Sequence, residues 1–497
     1  MGIAKRFLIT VFALFLIACD GSSDSSSNDA VDPVDDITPI TDPEVSLPPD
    51  IGAPFTLGLF DLSTVGYEQQ EFFLGGMASA FTNTSELGSD GEWLVEAGEQ
   101  AAYTTRILVR RPSNSADFNG TVLVEWMNVS SGFDFTPVWD NGHVEMVREG
   151  YVWVGVSTQF VSVYGREGSL VPFNLKSVNP ERYAELIHPG DSFSYDIFSQ
   201  VARAIRNPQG LNVLEGLTLQ QLIGAGQSQS AFRLTTYVNA IHPVYNPYDA
   251  YLIHSRANYS STLSQSPQVE IQTPEDVFIR TDLNVPVMVF QSETDLLRSS
   301  LNTVRVRQPD TQNLRTWEVA GTSHSDLYSS GGGWSDIGDD PEIAAVVENN
   351  GVLNCDIPIN FGPLHYVYNA ALRALNVWVD TGEAPASSEL LSINDDLSAF
   401  VLDMVGNVRG GIRTPYVDAP VAVLSGLGEQ SEDSFCRLFG TTSLLSTSEL
   451  VNLYGDKATY VNAVIESSNA AVEAGFLLQV DANQIIEWAP QQWDSQM

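Results

Sequence analysis

Residues 222–233 have the sequence LIGAGQSQSAFR, and this stretch decides the fold because it predicts a buried strand, a tight turn and a helix. The turn carries Gly226 and Ser228 in the order Gly-x-Ser, with the small residue Ser230 where a second glycine is usual. A serine on such a strained turn raises its hydroxyl above the sheet edge, which is the form of a nucleophile elbow. The alternative is an ordinary strand-to-helix turn with a serine N-cap.

Two further loops carry partners for this serine. An apolar strand predicted at residues 285–290 runs into Asp295, and another at 315–320 runs into His324. All three side chains follow the carboxyl end of a predicted strand, where open α/β sheets place their chemistry. A serine nucleophile needs a base for its proton and a carboxylate to orient that base. The three loops together therefore predict a Ser-Asp-His triad.

Each member of this triad has a rival in the sequence. Ser230 competes with Ser228 but is predicted to lie inside the helix. Glu293 is an alternative acid, two residues before Asp295. Among the six histidines, His254 and His365 could line a pocket, but only His324 has a glycine turn after a strand.

The surrounding pattern predicts an α/β fold. A strand at residues 121–126, a helix at 136–148 and a strand at 151–156 form a parallel crossover unit. We therefore expect a mostly parallel central sheet flanked by helices. Two long irregular stretches, 158–190 and 255–284, are candidate lids.

These motifs resemble those of the serine α/β-hydrolase superfamily over roughly residues 65–380. More narrowly, the chain is similar to bacterial exported proteins described as "α/β hydrolase domain". The resemblance rests on four segments: GQSQS at 226–230, SETD at 292–295, AGTSHSD at 320–326 and GGIRTPYVD at 410–418. It implies an α/β-hydrolase fold with Ser228 as nucleophile, Asp295 as acid and His324 as base.

Such chemistry needs two backbone N–H groups that stabilise the developing oxyanion. We expect one from Gln229, which follows the nucleophile, and the other from Met127 or Asn128 after the strand at 121–126. No dinucleotide or phosphate-binding motif is present, so the sequence predicts no cofactor. An acidic cluster near Gly331 is interpreted as a surface loop, and no metal site is predicted.

The composition limits the partners. The 497 residues include 23 basic and 62 acidic side chains, for a formal net charge of −39. Such a surface repels nucleic acid, so a nucleic-acid partner is excluded. A hydrophobic fraction of 43% is typical of a globular core. The oligomeric state is not readable from these features.

The N-terminal residues indicate export. A basic start is followed by an apolar run of 12 residues, 7–18, that is too short to span a bilayer as a mature helix. The run ends in LIAC and resembles a bacterial lipoprotein signal, which implies a lipid on Cys19 and a membrane-anchored protein of the bacterial cell envelope, on the periplasmic or outer-surface side. The alternative is a simple secretory peptide. The acidic residues that follow predict a disordered tether.

The remaining cysteines, Cys355 and Cys436, predict one disulfide in an exported protein, with two separate buried thiols as the alternative. The predicted division is residues 1–18 as signal, 19–54 as tether, 55–385 as hydrolase core with lids, and 386–497 as a mainly helical C-terminal extension packed on the core. Arg413 in that extension could bind a substrate carboxylate, but a structural salt bridge is the preferred interpretation.

The resulting hypothesis is a serine hydrolase that cleaves small or oligomeric carboxylic esters through an acyl-enzyme. A peptidase or amidase using the same triad is one alternative, because such triads cleave both kinds of bond. A catalytically silent scaffold that acts as a binding protein is the other.

Overall fold

The computed structural model describes residues 42–56, 60–169, 173–349, 355–428 and 435–497. The predicted signal peptide and Cys19 lie outside these residues. The strands are β1 (Glu44–Ser46), β2 (Tyr67–Asn83), β3 (Val95–Pro112), β4 (Thr121–Trp126), β5 (Val152–Val156), β6 (Gln209–Gly210), β7 (Gln221–Gln227), β8 (Ala250–His254), β9 (Val287–Ser292), β10 (Leu314–Val319), β11 (Ala422–Ser425) and β12 (Thr441–Leu444).

The helices alternate with the central strands. They are α1 (Pro137–Glu149), α2 (Phe160–Tyr164), α3 (Leu175–Val178), α4 (Ser194–Arg206), α5 (Gln229–Thr236), α6 (His242–Tyr245), α7 (Glu293–Leu297), α8 (Leu364–Thr381), α9 (Pro415–Asp418), α10 (Thr447–Tyr454), α11 (Lys457–Glu473) and α12 (Gln479–Gln496). A π-helical turn, Tyr237–Ile241, joins α5 to α6.

Ten strands form the central sheet in the order β10-β9-β8-β7-β4-β5-β3-β2-β1-β6. The six strands from β10 to β5 are parallel, whereas the pairs β5-β3, β3-β2 and β2-β1 are antiparallel and β1 pairs with β6 in parallel fashion. The predicted α/β class with a mostly parallel sheet is therefore confirmed. The parallel strands end at one edge, where their following loops meet.

Alternating side chains of β4 explain why helices cover both faces of the sheet. Val122, Val124 and Trp126 pack into a core with α4 and α5, while Leu123 packs into a second core with α1 and α8. Successive side chains of a strand point to opposite faces, so a strand buried on both faces is apolar throughout. This is why the runs at 121–126 and 222–226 were recognisable as central strands.

The prediction of a disordered tether over residues 19–54 is wrong for its last part. Glu44–Ser46 forms β1, which pairs with β2 and β6. The reason is Val45, which is buried in the core beside the sheet. A single apolar residue among acidic and proline residues gives no periodic signal, so the strand was not predictable from composition.

The two stretches predicted as lids flank the carboxyl edge of the sheet. We call residues 158–190 the first rim segment and residues 255–284 the second rim segment. The first was expected to be irregular but contains the short helices α2 and α3. The second contains an isolated bridge between Ser264 and Ile271.

The residues after 386 contact the sheet directly. The backbone N–H of Ile412 donates to Glu318 at 2.7 Å, and the N–H of Ala320 donates back to Ile412 at 3.0 Å. Helices α9, α11 and α12 enclose a separate apolar cluster that includes Tyr366 of α8. The extension therefore lies alongside β10, the strand that is followed by the loop of His324.

Candidate active site

Ser228 occupies the turn between β7 and α5 with φ 61° and ψ −124°. Its N–H donates to the carbonyl of His254 at 2.9 Å, which ties the strained turn to the end of β8. A Cβ on Gly226 would lie 3.0 to 3.2 Å from atoms of Leu234 and Ser230, so the tight packing of strand and helix requires glycine there. Ser228 itself is only partly buried.

His324 joins the two other predicted side chains. Its Nε2 lies 2.7 Å from Oγ of Ser228, and its Nδ1 lies 2.7 Å from Oδ1 of Asp295. The backbone of His324 is also held, because Nε2 of Gln227 donates to its carbonyl at 3.0 Å. The structure thus brings Ser228, His324 and Asp295 into one hydrogen-bonded line.

The carboxylate of Asp295 is buried and fully bonded. Its Oδ2 accepts from Oγ of Ser255 at 2.8 Å and from both the N–H and Oγ of Ser292, at 2.7 and 2.8 Å. Burial acts to raise the pKa of Asp295, but the imidazole of His324 and these donors outweigh it and lower the pKa. The group is therefore a carboxylate that can hold the Nδ1 proton of His324.

Glu293, the alternative acid, does not contact His324 in this arrangement. Its two oxygens accept from the backbone N–H groups of Gly321, at 2.6 Å, and Gly426, at 2.8 Å. Burial raises the pKa of Glu293 to about 7, although both N–H donors lower it. The carboxyl of Glu293 therefore joins its own segment of the backbone to the segments of Gly321 and Gly426.

The side chains of the other rivals form no hydrogen bond in the described part of the chain. Ser230 lies inside α5, and its hydroxyl has no hydrogen-bond partner among the described residues. The ring of His254 packs on Tyr368 with centroids 4.9 Å apart, and that of His365 stacks on Tyr328 at 3.7 Å. Burial lowers the pKa of each of these histidines to about 3.

The predicted oxyanion donors need a correction. The N–H of Met127 donates to Val156 at 3.2 Å and the N–H of Asn128 donates to Phe135 at 2.9 Å, so neither is free. The side chain of Asn128 instead donates to the carbonyl of Gln227 at 2.9 Å, which places this loop beside the serine. The sequence could identify the loop but not which N–H its turn leaves unpaired.

Two other backbone N–H groups of these loops are candidate donors, because neither has an assigned acceptor among the described residues. One belongs to Gln229, the first residue of α5, whose N–H has no acceptor within the helix. The other belongs to Val129, which follows Asn128 in the loop after β4. Sequence reasoning did not name Val129. Its N–H becomes a candidate only because the N–H groups of Met127 and Asn128 are already bonded.

Residues of the C-terminal extension hold the histidine loop. The N–H of Ser325 donates to the carbonyl of Leu438 at 3.1 Å, and Oγ of Ser323 donates to Phe439 at 3.2 Å. The disulfide between Cys355 and Cys436 lies in the same apolar cluster as Phe439. Arg413 forms salt bridges with Asp403 and Asp418, at 3.3 and 2.6 Å, as the structural interpretation expected.

Within the ranges that the structure describes, no group of histidine, cysteine and acidic side chains is arranged to hold a metal ion. No helix in those ranges is both long enough and apolar enough to cross a bilayer.

Comparison with known proteins gives one family. The model of the family described as "Alpha/beta hydrolase domain" matches residues 36–487. No curated protein matches the chain.

The solved structures that the chain matches include a fungal esterase from Rhizomucor miehei, with 13% identity, a TM-score of 0.32, and coverage of 62% of this chain and 86% of that one. A carboxylesterase from Lactobacillus plantarum has 11% identity, a TM-score of 0.24, and coverage of 46% and 74%. Acetyl xylan esterase 1 from Thermoanaerobacterium has 9% identity, a TM-score of 0.27, and coverage of 56% and 80%.

Proposed function

The chain belongs to the alpha/beta hydrolase domain family, and from that premise we propose that it is a serine hydrolase that cleaves carboxylic esters. Ser228 is the nucleophile, His324 the general base and Asp295 the group that orients the imidazole. The observation that carries the proposal is the pair of 2.7 Å hydrogen bonds that His324 makes, one to each partner. A nucleophile, a base and an orienting group in hydrogen-bond reach are what acyl transfer requires.

The first half of the reaction forms an acyl-enzyme. Oγ of Ser228 attacks the ester carbonyl while Nε2 of His324 takes its proton, and Asp295 stabilises the resulting imidazolium. The carbonyl oxygen becomes an oxyanion, to which the N–H groups of Gln229 and Val129 donate. The tetrahedral intermediate then collapses, the C–O bond to the alcohol breaks, and His324 returns the proton to the leaving alcohol.

The second half repeats these steps with water. His324 removes a proton from a water molecule, whose oxygen attacks the acyl carbon. Collapse of this intermediate releases the carboxylic acid and returns the proton to Oγ of Ser228. Both halves require ester and water to reach Ser228, which is only partly buried.

Labelling with a fluorophosphonate tests the nucleophile, because this reagent phosphonylates an activated serine. We expect the folded protein to be labelled and the variant Ser228→Ala to lose all labelling. Ser230→Ala is the matched control, since Ser230 is a serine of the same turn whose buried hydroxyl has no partner in the described structure. An intact wild-type protein without labelling would favour the silent scaffold.

A panel of esters beside the corresponding amides separates the two enzymatic hypotheses. We expect ester cleavage that is lost in Ser228→Ala and amide cleavage that is much slower. Faster turnover of amides would assign the same triad to a peptidase or amidase.

We further propose that the mature protein is anchored by a lipid on Cys19, which lies outside the described residues. The support is the basic start and the apolar run that ends in LIAC at residues 16–19. In a bacterial host, the protein is expected in the membrane fraction and to incorporate labelled palmitate. Cys19→Ser should abolish both, whereas a simple secretory peptide would leave the protein soluble and unlabelled in either form.

A further inference from the structure

Arg233 lies on α5, one helical turn beyond Gln229, and its side chain is buried where the two rim segments meet the helix. An arginine with 5% of its surface exposed is unusual in a protein unless its charge is paired. Its partners come from three different parts of the chain. The triad does not use this residue.

The guanidinium of Arg233 bonds the second rim segment and the residue that directly follows the first. Its Nη2 donates to Oδ2 of Asp191, the residue after the first segment, and to Oε1 of Gln265 in the second, each at 3.3 Å. Its Nη1 donates to the hydroxyl of Tyr195 on α4 at 3.4 Å. Burial opposes the charge of Arg233, but Tyr195 and Asp191 offset this and raise its pKa. The cation is therefore permanent.

Asp191 extends this connection to the start of the first rim segment. Its Oδ1 accepts from the N–H of Phe160 at 2.7 Å, and its Oδ2 from Nε2 of Gln159 at 3.4 Å. The two ends of the first segment are thus held together and joined to the helix that carries Ser228. Loss of Arg233 would leave the carboxylate of Asp191 buried without its cation.

Each rim segment carries an exposed aromatic ring beside a second ring. In the first, Phe160 and Tyr164 lie with centroids 4.5 Å apart and are 41% and 37% exposed. In the second, Tyr259 is 38% exposed and packs at 5.1 Å on Phe232 of α5. The N–H of Phe232 donates to the carbonyl of Ser228 at 3.0 Å, so this pair lies one turn from the nucleophile.

We propose that Arg233 is a positioning residue that fixes the spacing of these two aromatic pairs, and that the pairs bind a ring-sized apolar group of the ester substrate. The inference rests on the proposed function and deepens it by naming a substrate class. Arg233 does not touch the reacting atoms and acts through the rim segments. Exposed apolar rings bind apolar rings or branched chains by burying their surface, and the net charge of −39 disfavours an anionic substrate.

The test compares two ethyl esters, ethyl 3-phenylpropanoate and ethyl acetate, with kcat and KM measured separately. In the wild type, KM is expected to be lower for the phenyl ester. Arg233→Gln should raise KM for the phenyl ester about tenfold while kcat for both esters stays within about threefold. Gln265→Ala removes only the bond from Arg233 to the second rim segment and should give a smaller change in the same direction.

Arg305→Gln is the matched control. Arg305 pairs with Glu275 and Asp276 of the second rim segment, at 2.7 and 2.6 Å, but on the exposed surface. Loss of such a surface pair should leave KM for both esters within about twofold of the wild type. An increase equal to that of Arg233→Gln would assign the effect to general loosening of the segment and overturn the proposal.

Fluorophosphonate labelling separates failure of this inference from failure of the proposed function. A wild-type protein that neither reacts with the reagent nor cleaves an ester contradicts the hydrolase itself. An active wild type in which Arg233→Gln and Gln265→Ala change both esters equally, or change neither, overturns only the positioning role. If Arg233→Gln does not fold, Gln265→Ala decides on the same criterion.

Discussion

The buried carboxylate of Glu293 accepts a 2.8 Å hydrogen bond from the backbone N–H of Gly426, and this bond joins the loop after β9 to the C-terminal extension. The second oxygen of Glu293 accepts from Gly321, which precedes the loop of His324. One side chain therefore fixes the relative positions of the acid loop, the histidine loop and the extension. Oδ1 of Asp295, two residues later, instead lies 2.7 Å from Nδ1 of His324.

The two acidic side chains should respond differently to loss of charge. Asp295→Asn removes the acceptor for the Nδ1 proton of His324, so kcat/KM should fall about 10³- to 10⁴-fold. In Glu293→Gln the side-chain NH2 would face the backbone N–H of Gly321 or Gly426, which would lose its acceptor. This variant should instead lower the free energy of unfolding by about 1–3 kcal/mol. Ester kinetics and urea unfolding of both variants measure these effects. A greater loss of kcat/KM in Glu293→Gln than in Asp295→Asn would reverse the assignment.

Gly426 is expected to tolerate no side chain. A Cβ there would lie 2.6 Å from Cβ of Glu293 and from the N of Thr294, and 2.7 Å from the carbonyl oxygen of Thr322. Gly426→Ala should therefore cost about 1–3 kcal/mol of stability by forcing backbone apart. Gly98→Ala, whose Cβ would meet only a carbonyl oxygen at 3.5 Å, is the control and should unfold like the wild type.

The protein is expected to become more stable as the pH falls from 8 to about 6.5. Burial raises the pKa of Glu125, Glu145 and Glu293 to about 7 in each case, from an ordinary value of 4.5, so the folded state binds these protons more tightly than the unfolded chain and their contribution is lost as the pH rises. Below about pH 6.5 the buried histidines oppose this trend, because burial lowers the pKa of His254 and His365 to about 3 and only the unfolded chain takes up their protons. Protonation also reduces the repulsion within a chain of net charge −39.

Thermal unfolding at a series of pH values measures this dependence. The midpoint temperature should be higher at pH 6.5 than at pH 8. A midpoint that falls from pH 8 to pH 6.5 would contradict the raised pKa values.

The disulfide should support the histidine loop as well as the global stability. Replacing Cys355 and Cys436 together by alanine opens a connection across 81 residues and should lower the free energy of unfolding by about 2–4 kcal/mol. Because Ser325 bonds Leu438, two residues from Cys436, the variant should also lose ester activity at temperatures below its unfolding midpoint. Activity that persists up to the midpoint would limit the disulfide to global stability.

Part of the site was predictable because an apolar strand and the polar residue that follows it are close together in the sequence. Apolar runs mark β7, β9 and β10, and a polar side chain follows each one, so the loops of Ser228, Asp295 and His324 could be placed at one sheet edge. The choice between Glu293 and Asp295 could not be made in this way. Both follow the same strand, and only the positions of Gly426 and His324 in space distinguish them.

The oxyanion donors show the same limit at the level of single atoms. The loop after β4 was predictable, but the N–H groups of Met127 and Asn128 are occupied by Val156 and Phe135, which lie elsewhere in the chain. The role proposed for Arg233 depends likewise on Asp191, 42 positions before it, and on Gln265, 32 positions after it. Hydrogen bonds of this kind leave no periodic pattern.

The sequence by itself determined the α/β class, the loops at the sheet edge and the residue types available there, because hydrophobic periodicity and turn chemistry act over a few neighbouring residues. The tertiary structure alone decided which carboxylate reaches the imidazole, which backbone N–H groups stay unpaired and which buried arginine joins the two rim segments. Those outcomes depend on directional contacts of about 3 Å between distant parts of the chain, and such contacts exist only after the sheet and the extension have packed together.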